Sequence, residues 1–144
     1  MSPLLKRSLL LVTLLVTATC AGITGCASSG VGDPCNPENV PAGGFSPLEA
    51  YLEQGSVQCR TRTCVAYKLD GDPNQVIEDG TCRNPDECVS KQELEDRVYC
   101  TCRCRALEGS SAPTCACPSG YSCTDILEVG GTGLRGGYCI KDGT

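Results

Sequence analysis

The middle of the chain contains a stretch, residues 57–69, in which every second side chain is apolar, β-branched or cysteine. Because successive side chains of a strand point to opposite faces, this period of two predicts a β-strand. The alternation places Cys59 and Val65 on one face of the strand and Cys64 on the other. The turn-forming run Gly71-Asp72-Pro73-Asn74 then follows the strand.

A second alternating stretch covers residues 98–107, and three positions on one of its faces are Cys100, Cys102 and Cys104. Neighbours two apart along a strand are separated by about 6.6–6.8 Å, which disfavours a disulfide between them. We therefore expect disulfides to fasten this strand to three other segments, which makes it the hub of the fold.

A β-hairpin is predicted near the C-terminus. Residues 121–129 and 134–140 have strand-like composition, and the glycine-rich run Gly130-Gly131-Thr132-Gly133 joins them. The glycines form no phosphate-binding motif, because the sequence lacks G-x-x-x-x-G-K-[ST]. A flexible turn is therefore the interpretation we adopt for this run.

Two capping boxes predict short helices. Ser46-Pro47-Leu48-Glu49 opens a helix predicted over residues 46–53, and Ser90-Lys91-Gln92-Glu93 opens one predicted over residues 90–96. The predicted fold is thus a small disulfide-rich domain, mainly β with about four strands, and with one or two short helices.

The N-terminus has the pattern of an export signal. Lys6 and Arg7 precede an almost wholly apolar run over residues 9–16, and small residues follow. The run is shorter than the ~20 residues that a membrane-spanning helix needs. We predict a signal peptide over residues 1–25, a lipidated cysteine with a flexible tether over 26–34, and one domain over 35–144.

Ile23-Thr24-Gly25-Cys26 resembles the bacterial lipobox. The resemblance implies a diacylglycerol on the Cys26 thiol, cleavage just before Cys26, and acylation (palmitate) of the new amino group. Cys20 lacks an aliphatic residue three positions before it. Ala27 follows Cys26 in place of Asp, which in Gram-negative members of the family implies the outer membrane. The expected location is the cell envelope, on its periplasmic or outer surface, with the lipid as the contact to the membrane.

The cysteine count supports the same cleavage point. Of 14 cysteines, Cys20 is lost with the signal and Cys26 carries lipid, which leaves twelve. An even number in an exported chain predicts six disulfides, because the periplasm is oxidising. Their connectivity stays open at this stage. The twelve are Cys35, Cys59, Cys64, Cys82, Cys88, Cys100, Cys102, Cys104, Cys115, Cys117, Cys123 and Cys139.

Disulfides also explain how so polar a chain folds. From Cys26 onward, 19 of 119 residues are Leu, Ile, Val, Phe or Met, about 16%. A chain this poor in core-forming residues reads as disordered unless something else holds it. A native disulfide contributes about 2–5 kcal/mol in a small secreted domain, so six supply what the core lacks.

We expect no metal and no cofactor. The closely spaced cysteines at 100–104 and 115–117 favour thiolate metal binding as an alternative, but no C-x2-C pair and no histidine is present. Asp70-x-Asp72-x-Asn74 begins like a calcium loop, yet Gln75 and Thr81 occupy its glycine and glutamate positions. A plain polar turn is the better interpretation of that segment.

The run of residues 115–121, C-A-C-P-S-G-Y, resembles the C-terminal half of an EGF-like module. Cys123 comes too early for that family and Cys139 too late, so no function is carried over. Taken whole, the lipobox and the cysteine-dense, histidine-free remainder resemble the cysteine-rich lipoproteins of myxobacteria. That resemblance implies no particular activity.

Charge restricts the partners. Removing Lys6 and Arg7 from 12 basic residues leaves ten against 17 acidic ones, a formal charge of −7. An acidic surface argues against nucleic acid as a partner. An envelope protein or polymer remains as the expected partner.

A local basic patch is nevertheless expected if the two central strands pair. Arg60, Arg62, Arg103 and Arg105 lie in those stretches and would then face outward together. Such a patch would suit an anionic cell-surface polymer, whereas the alternative is a solvated surface with scattered acidic partners.

The function predicted is a non-enzymatic interaction or structural module, with no catalytic residues. Without histidine, Ser-His-Asp and Cys-His catalysis are excluded, and no S-x-x-K occurs. The acidic pairs Glu95-Asp96 and Asp86-Glu87 are typical of a solvated surface. A protease-inhibitor-like binding module is an alternative, with residues 130–134 as its candidate loop.

Overall fold

The computed structural model describes residues 30–127 and 130–144. The predicted signal peptide, Cys26 and the first part of the predicted tether lie outside these ranges, as do residues 128 and 129 of the predicted hairpin. The described chain is mainly β, with six strands in two three-stranded sheets, one α-helix and one 3-10 turn. The predicted fold class is confirmed. Within the two described ranges, no helix is long and apolar enough to cross a membrane.

The first sheet contains β1 (Ala50–Gln54), β2 (Thr63–Tyr67) and β3 (Val98–Cys100), in the order β1-β2-β3 and antiparallel throughout. The central strand β2 is buried along four of its five residues. Both of its faces are covered, so β-branched and small apolar side chains suit every position.

The helix predicted over residues 46–53 is wrong. Ser46 Oγ accepts a hydrogen bond from Leu48 N at 3.3 Å, and Ser46 O accepts one from Glu49 N at 3.1 Å, so the chain makes one turn and then extends. Residues 50–54 pair with β2 over their whole length. An isolated two-turn helix is unstable, so a complete strand pairing outweighs the local capping signal.

The strand predicted over residues 57–69 is shorter than expected. Residues 57–62 form a turn that closes through a 2.7 Å hydrogen bond from Gly55 N to Arg62 O, and Arg62 has a positive φ of 62°. The turn folds Cys59 into the same buried cluster as Cys64. The prediction that the two cysteines point away from each other is therefore wrong, because no continuous strand connects them.

The second capping box does open a helix, α1 (Lys91–Arg97), directly before β3. Ser90 Oγ accepts a hydrogen bond from Glu93 N at 3.1 Å, which satisfies one of the free N–H groups of the first turn. A 3-10 turn over Pro85–Glu87 precedes the helix. The predicted helix over residues 90–96 is confirmed to within one residue.

The second sheet contains β4 (Arg103–Ala106), β5 (Tyr121–Leu127) and β6 (Gly136–Lys141), in the order β4-β6-β5. β5 and β6 form the predicted antiparallel hairpin. The central strand begins with two glycines because there is no space for side chains: a Cβ at Gly136 would lie 2.1 Å from Arg105 O, and one at Gly137 would lie 2.8 Å from Cys123 Sγ.

The single strand predicted over residues 98–107 is divided between the two sheets. Thr101 N donates to Thr63 O in the first sheet at 2.9 Å, whereas Cys102 O accepts from Cys139 N in the second sheet at 3.1 Å. The buried Thr101 hydroxyl also donates to Cys139 O at 2.7 Å. The chain therefore changes sheets at Thr101-Cys102, and this step joins the two halves of the fold.

Two buried clusters occupy the two faces of β2. One surrounds Cys59, Cys64 and Cys100 and includes the aliphatic side chains of Leu69 and Val89. The other contains Val65 and Tyr99 from the first sheet and Tyr138 and Ile140 from the second. The second cluster is the apolar contact between the sheets.

Candidate functional site

The structure places the twelve predicted cysteines in six disulfides. The three cysteines of the predicted hub bond to three different segments, as expected, although the hub is divided between two sheets. The pairs are Cys35–Cys64, Cys59–Cys100, Cys82–Cys88, Cys102–Cys115, Cys104–Cys123 and Cys117–Cys139.

Most of these sulfur atoms lie close to sulfur atoms of other disulfides. The Sγ atoms of Cys35, Cys59 and Cys100 lie within 4.8 Å of one another in the first half of the fold. In the second half, the same holds for two triplets that share Cys139, which are Cys102–Cys115–Cys139 and Cys104–Cys117–Cys139. Thiolates at this separation could share a metal ion, but a disulfide-bonded sulfur is not a thiolate.

The basic patch predicted from four arginines does not form as one surface. The two predicted stretches do pair, through β2 and β3. Arg60 and Arg62, however, lie in the turn before β2, and Arg103 and Arg105 lie in β4 of the second sheet. Arg60 lies in a turn and forms an ion pair with Asp33 at 3.4 Å, and Arg105 forms one with Asp125. Only Arg62 and Arg103 are brought together, as part of the lining of one cleft.

That cleft lies between the two sheets and has a volume of about 320 Å³. β1, β2 and the turn before β2 provide one wall, and β4, β6 and the segment around Cys115 provide the other. We call it the intersheet cleft. Its lining residues are Gln54, Gly55, Thr61, Arg62, Thr63, Cys102, Arg103, Pro113, Thr114, Cys115 and Tyr138.

A chain of hydrogen bonds crosses the inner wall of the intersheet cleft. Thr63 Oγ1 donates to Gln54 Oε1 at 3.3 Å, and Gln54 Nε2 donates to the Tyr138 hydroxyl at 3.5 Å. That hydroxyl in turn donates to Leu134 O at 2.6 Å. Burial raises the pKa of Tyr138, and the nearby Arg103 charge opposes this rise. Three neutral polar side chains of the cleft are thus hydrogen-bonded in series.

Two residues that line the intersheet cleft also carry buried side-chain donors that have no acceptor in the described chain. In residues 30–127 and 130–144, five buried side-chain nitrogen or oxygen atoms are unpartnered, and three of them are Arg103 Nε, Arg103 Nη1 and Thr61 Oγ1. Buried donors without a partner are rare and unfavourable, most of all when charged. No ion pair to Arg62 or Arg103 is formed by any carboxylate in these ranges.

The other candidate residues have structural roles. Asp72 Oδ1 accepts from the backbone N of Asn74 at 2.8 Å and from its side chain at 3.0 Å, which is a polar turn. Asp96 accepts from Lys141 Nζ, and Glu87 accepts from Gln75 at 2.8 Å, so the acidic pairs take part in local networks. Lys141 lowers the pKa of Asp96 through this hydrogen bond.

The candidate inhibitor loop is a folded turn where it is described. Leu134 N and Arg135 N both donate to Gly131 O, at 2.9 and 3.2 Å. Leu134 is 42% exposed at the end of this turn. The loop is therefore closed on itself and does not present an extended segment.

Sequence reasoning identified Arg62 and Arg103 but missed the rest of the intersheet cleft. Gln54, Thr61 and Tyr138 carry no motif, and only the folded chain brings them together. Comparison with protein-family models, with curated proteins and with solved structures gave no match for this chain.

Proposed function

We propose that the protein is a lipid-anchored, non-enzymatic binding module of the cell envelope, attached to the membrane through Cys26. The observation that supports this is the pairing of all twelve cysteines after residue 26 as six disulfides. Disulfides of this number are typical of proteins in an oxidising compartment, which a chain reaches by export. The lipobox-like sequence and the even cysteine count agree with export and anchoring.

The disulfides also suit a binding function. They hold two small sheets in a fixed relation, so the surfaces of the domain are rigid before a partner arrives. A preorganised surface loses little conformational entropy on binding. In this role the intersheet cleft is the binding site, and the polar side chains in its lining position a ligand.

Incorporation of labelled palmitate tests the anchor. The chain offers a matched pair of variants, since Cys20 and Cys26 lie six residues apart in the same predicted export segment. Cells producing C20A should label the protein as strongly as wild type, whereas C26A should give no label. Equal labelling of both variants, or no label on wild type, would contradict the proposal.

Thiolate metal binding is a second candidate, favoured by the close sulfur triplets. It requires a reduced form, because each disulfide must take up two electrons before its sulfurs can act as thiolate ligands. Titration of free thiols in protein taken directly from the envelope decides between the candidates. Free thiols together with bound zinc would support metal binding, and a complete absence of free thiols would exclude it.

A further inference from the structure

We propose that the intersheet cleft binds an acidic sugar residue, with the sugar carboxylate held by Arg62 and Arg103. This proposal deepens the binding function proposed above and depends on it for the identity of the site. The partner class is a uronate-containing polysaccharide, of which one or a few residues enter the cleft.

The charge of the intersheet cleft is opposite to that of the whole protein. The protein has a formal net charge of −5, yet the lining of the intersheet cleft contains two guanidinium groups and no Asp or Glu. Three other surface clefts each contain a carboxylate, namely Asp125, Asp96 and Glu49 respectively. Since an excess of one charge sign in a concave site attracts the opposite charge, the intersheet cleft selects an anion.

Unpartnered hydrogen-bond donors of two lining residues also favour a carboxylate ligand. Arg103 Nε and Nη1 and Thr61 Oγ1 are buried without an acceptor in the described chain. A guanidinium presents its N–H groups as a planar fork that matches the two oxygens of a carboxylate. A carboxylate in the cleft would provide acceptors for Arg103 once its guanidinium turns toward the ligand, because the described chain provides none for Nε and Nη1.

The remaining lining includes several neutral polar side chains. Within residues 30–127 and 130–144, Gln54 donates only one of its two amide N–H groups, and Thr63 and Thr114 add hydroxyl groups. Such groups pair well with sugar hydroxyls and poorly with an apolar ligand. The volume of about 320 Å³ is at the small end of the usual range for ligand sites, about 300–1,000 Å³, which suits a small polar unit.

Isothermal titration of the full chain in detergent micelles tests the proposal, with trigalacturonate as the probe. Its fully methyl-esterified form is the matched ligand control, because it replaces each carboxylate by a neutral methyl ester and keeps the sugar hydroxyl groups. Inorganic phosphate is the third ligand and distinguishes a sugar carboxylate from an anion of any kind. We expect saturable binding of trigalacturonate, and binding at least about tenfold weaker for the ester and for phosphate.

Variants locate the binding in the intersheet cleft. R103Q and R62Q should each weaken trigalacturonate binding by at least about tenfold, whereas R105Q should leave it unchanged. Arg105 is the matched control because it lies two residues from Arg103 and is already paired with Asp125. Near-ultraviolet circular dichroism checks that each variant is folded. R62Q is expected to fold because Arg62 lies in a turn outside the strands.

Three results would overturn the proposal: no binding of trigalacturonate, equal binding of ester or phosphate, or unchanged binding by folded R103Q and R62Q. The anchor is tested separately by palmitate labelling. If wild type is not labelled but binds trigalacturonate, only the proposed anchor is wrong. If wild type is labelled but does not bind trigalacturonate, only the proposed ligand is wrong.

Discussion

The Sγ atoms of Cys115 and Cys139 lie 3.8 Å apart although each is bonded to a different cysteine. Cys102 Sγ lies 3.9 Å from the same Cys139 atom. Two disulfides are thus packed side by side at the point where β6 passes the start of β4. A thiolate attacks a disulfide sulfur that it can reach, so this proximity makes exchange between the two bonds a specific expectation.

The substitution C117S leaves Cys139 without its partner and should therefore allow that exchange. The freed Cys139 thiolate can attack Cys115 or Cys102 of the neighbouring disulfide, forming one new S–S bond and releasing the other cysteine as a thiolate. Peptide mapping of the alkylated variant should find Cys139 bonded to Cys115 or Cys102 in a substantial fraction of molecules.

The control for this exchange is C82S, which frees Cys88. Cys88 belongs to none of the three triplets of close sulfur atoms, so it should remain a free thiol while the five other disulfides keep their partners. If C117S is recovered with Cys139 fully alkylated and Cys102–Cys115 intact, the Cys139 thiolate does not exchange with the neighbouring disulfide.

The two capping boxes show how far local sequence determines this fold. Ser90 and Glu93 form the predicted cap because α1 has no competing strand partner. Ser46 and Glu49 carry the same signal, but the residues after them complete an antiparallel pairing with β2. The local pattern is the same in both places, but at Ser46 the pairing with a strand distant in sequence determines that the residues after it form a strand and not a helix.

The intersheet cleft was beyond prediction for the same reason. Alternation correctly marked residues 98–107 as extended, but the change of sheet at Thr101-Cys102 depends on which strand accepts each hydrogen bond. That step separates β2 from β4 and creates the space between them. The cysteine count predicted six disulfides, whereas their pairing needed the folded chain.

Removing a long-range disulfide should cost more stability than removing a local one. Cys59–Cys100 closes a loop of 41 residues and Cys82–Cys88 one of 6. In the chain-entropy description, C59A/C100A should lower the free energy of unfolding by about 4 kcal/mol and C82A/C88A by about 2 kcal/mol. Denaturant unfolding of both double variants measures the difference, and an equal or reversed order would contradict it.

Gly137 is expected to tolerate no side chain. A Cβ at this position would lie 2.8 Å from Cys123 Sγ and 3.2 Å from Arg105 Cβ, and the sulfur is fixed by its bond to Cys104. G137A should therefore lower the free energy of unfolding by about 1–3 kcal/mol. G131A is the control, because nothing lies within 4 Å of its added methyl group and stability should stay near wild type. Similar thermal midpoints for both variants would refute this packing argument.

Tyr99 should be among the last tyrosines to ionise. Burial raises the pKa of Tyr99 to about 12, although its hydroxyl accepts a hydrogen bond from Lys141 N at 2.8 Å. The unfolded chain loses this proton near pH 10, whereas the folded chain keeps it up to about pH 12. The buried, protonated Tyr99 therefore contributes its full stability to the fold below pH 10, and this contribution is lost as the pH rises from 10 through about 12.

Absorbance at 295 nm after a rapid pH jump should show this late ionisation. Wild type should have a component titrating near pH 12 that is missing in Y99F. Titration of all tyrosines together near pH 10, with no difference between the two proteins, would contradict the buried position of the ring.

The intact mass of envelope-purified protein tests the central claim of an exported, lipid-anchored, disulfide-stabilised module most directly. The protein is alkylated under denaturing conditions, once without and once after reduction. We predict a chain that starts at Cys26 and carries acyl mass, with no alkyl group added before reduction and twelve added after it. A chain that starts elsewhere without acyl mass, or one alkylated before reduction, would contradict the account.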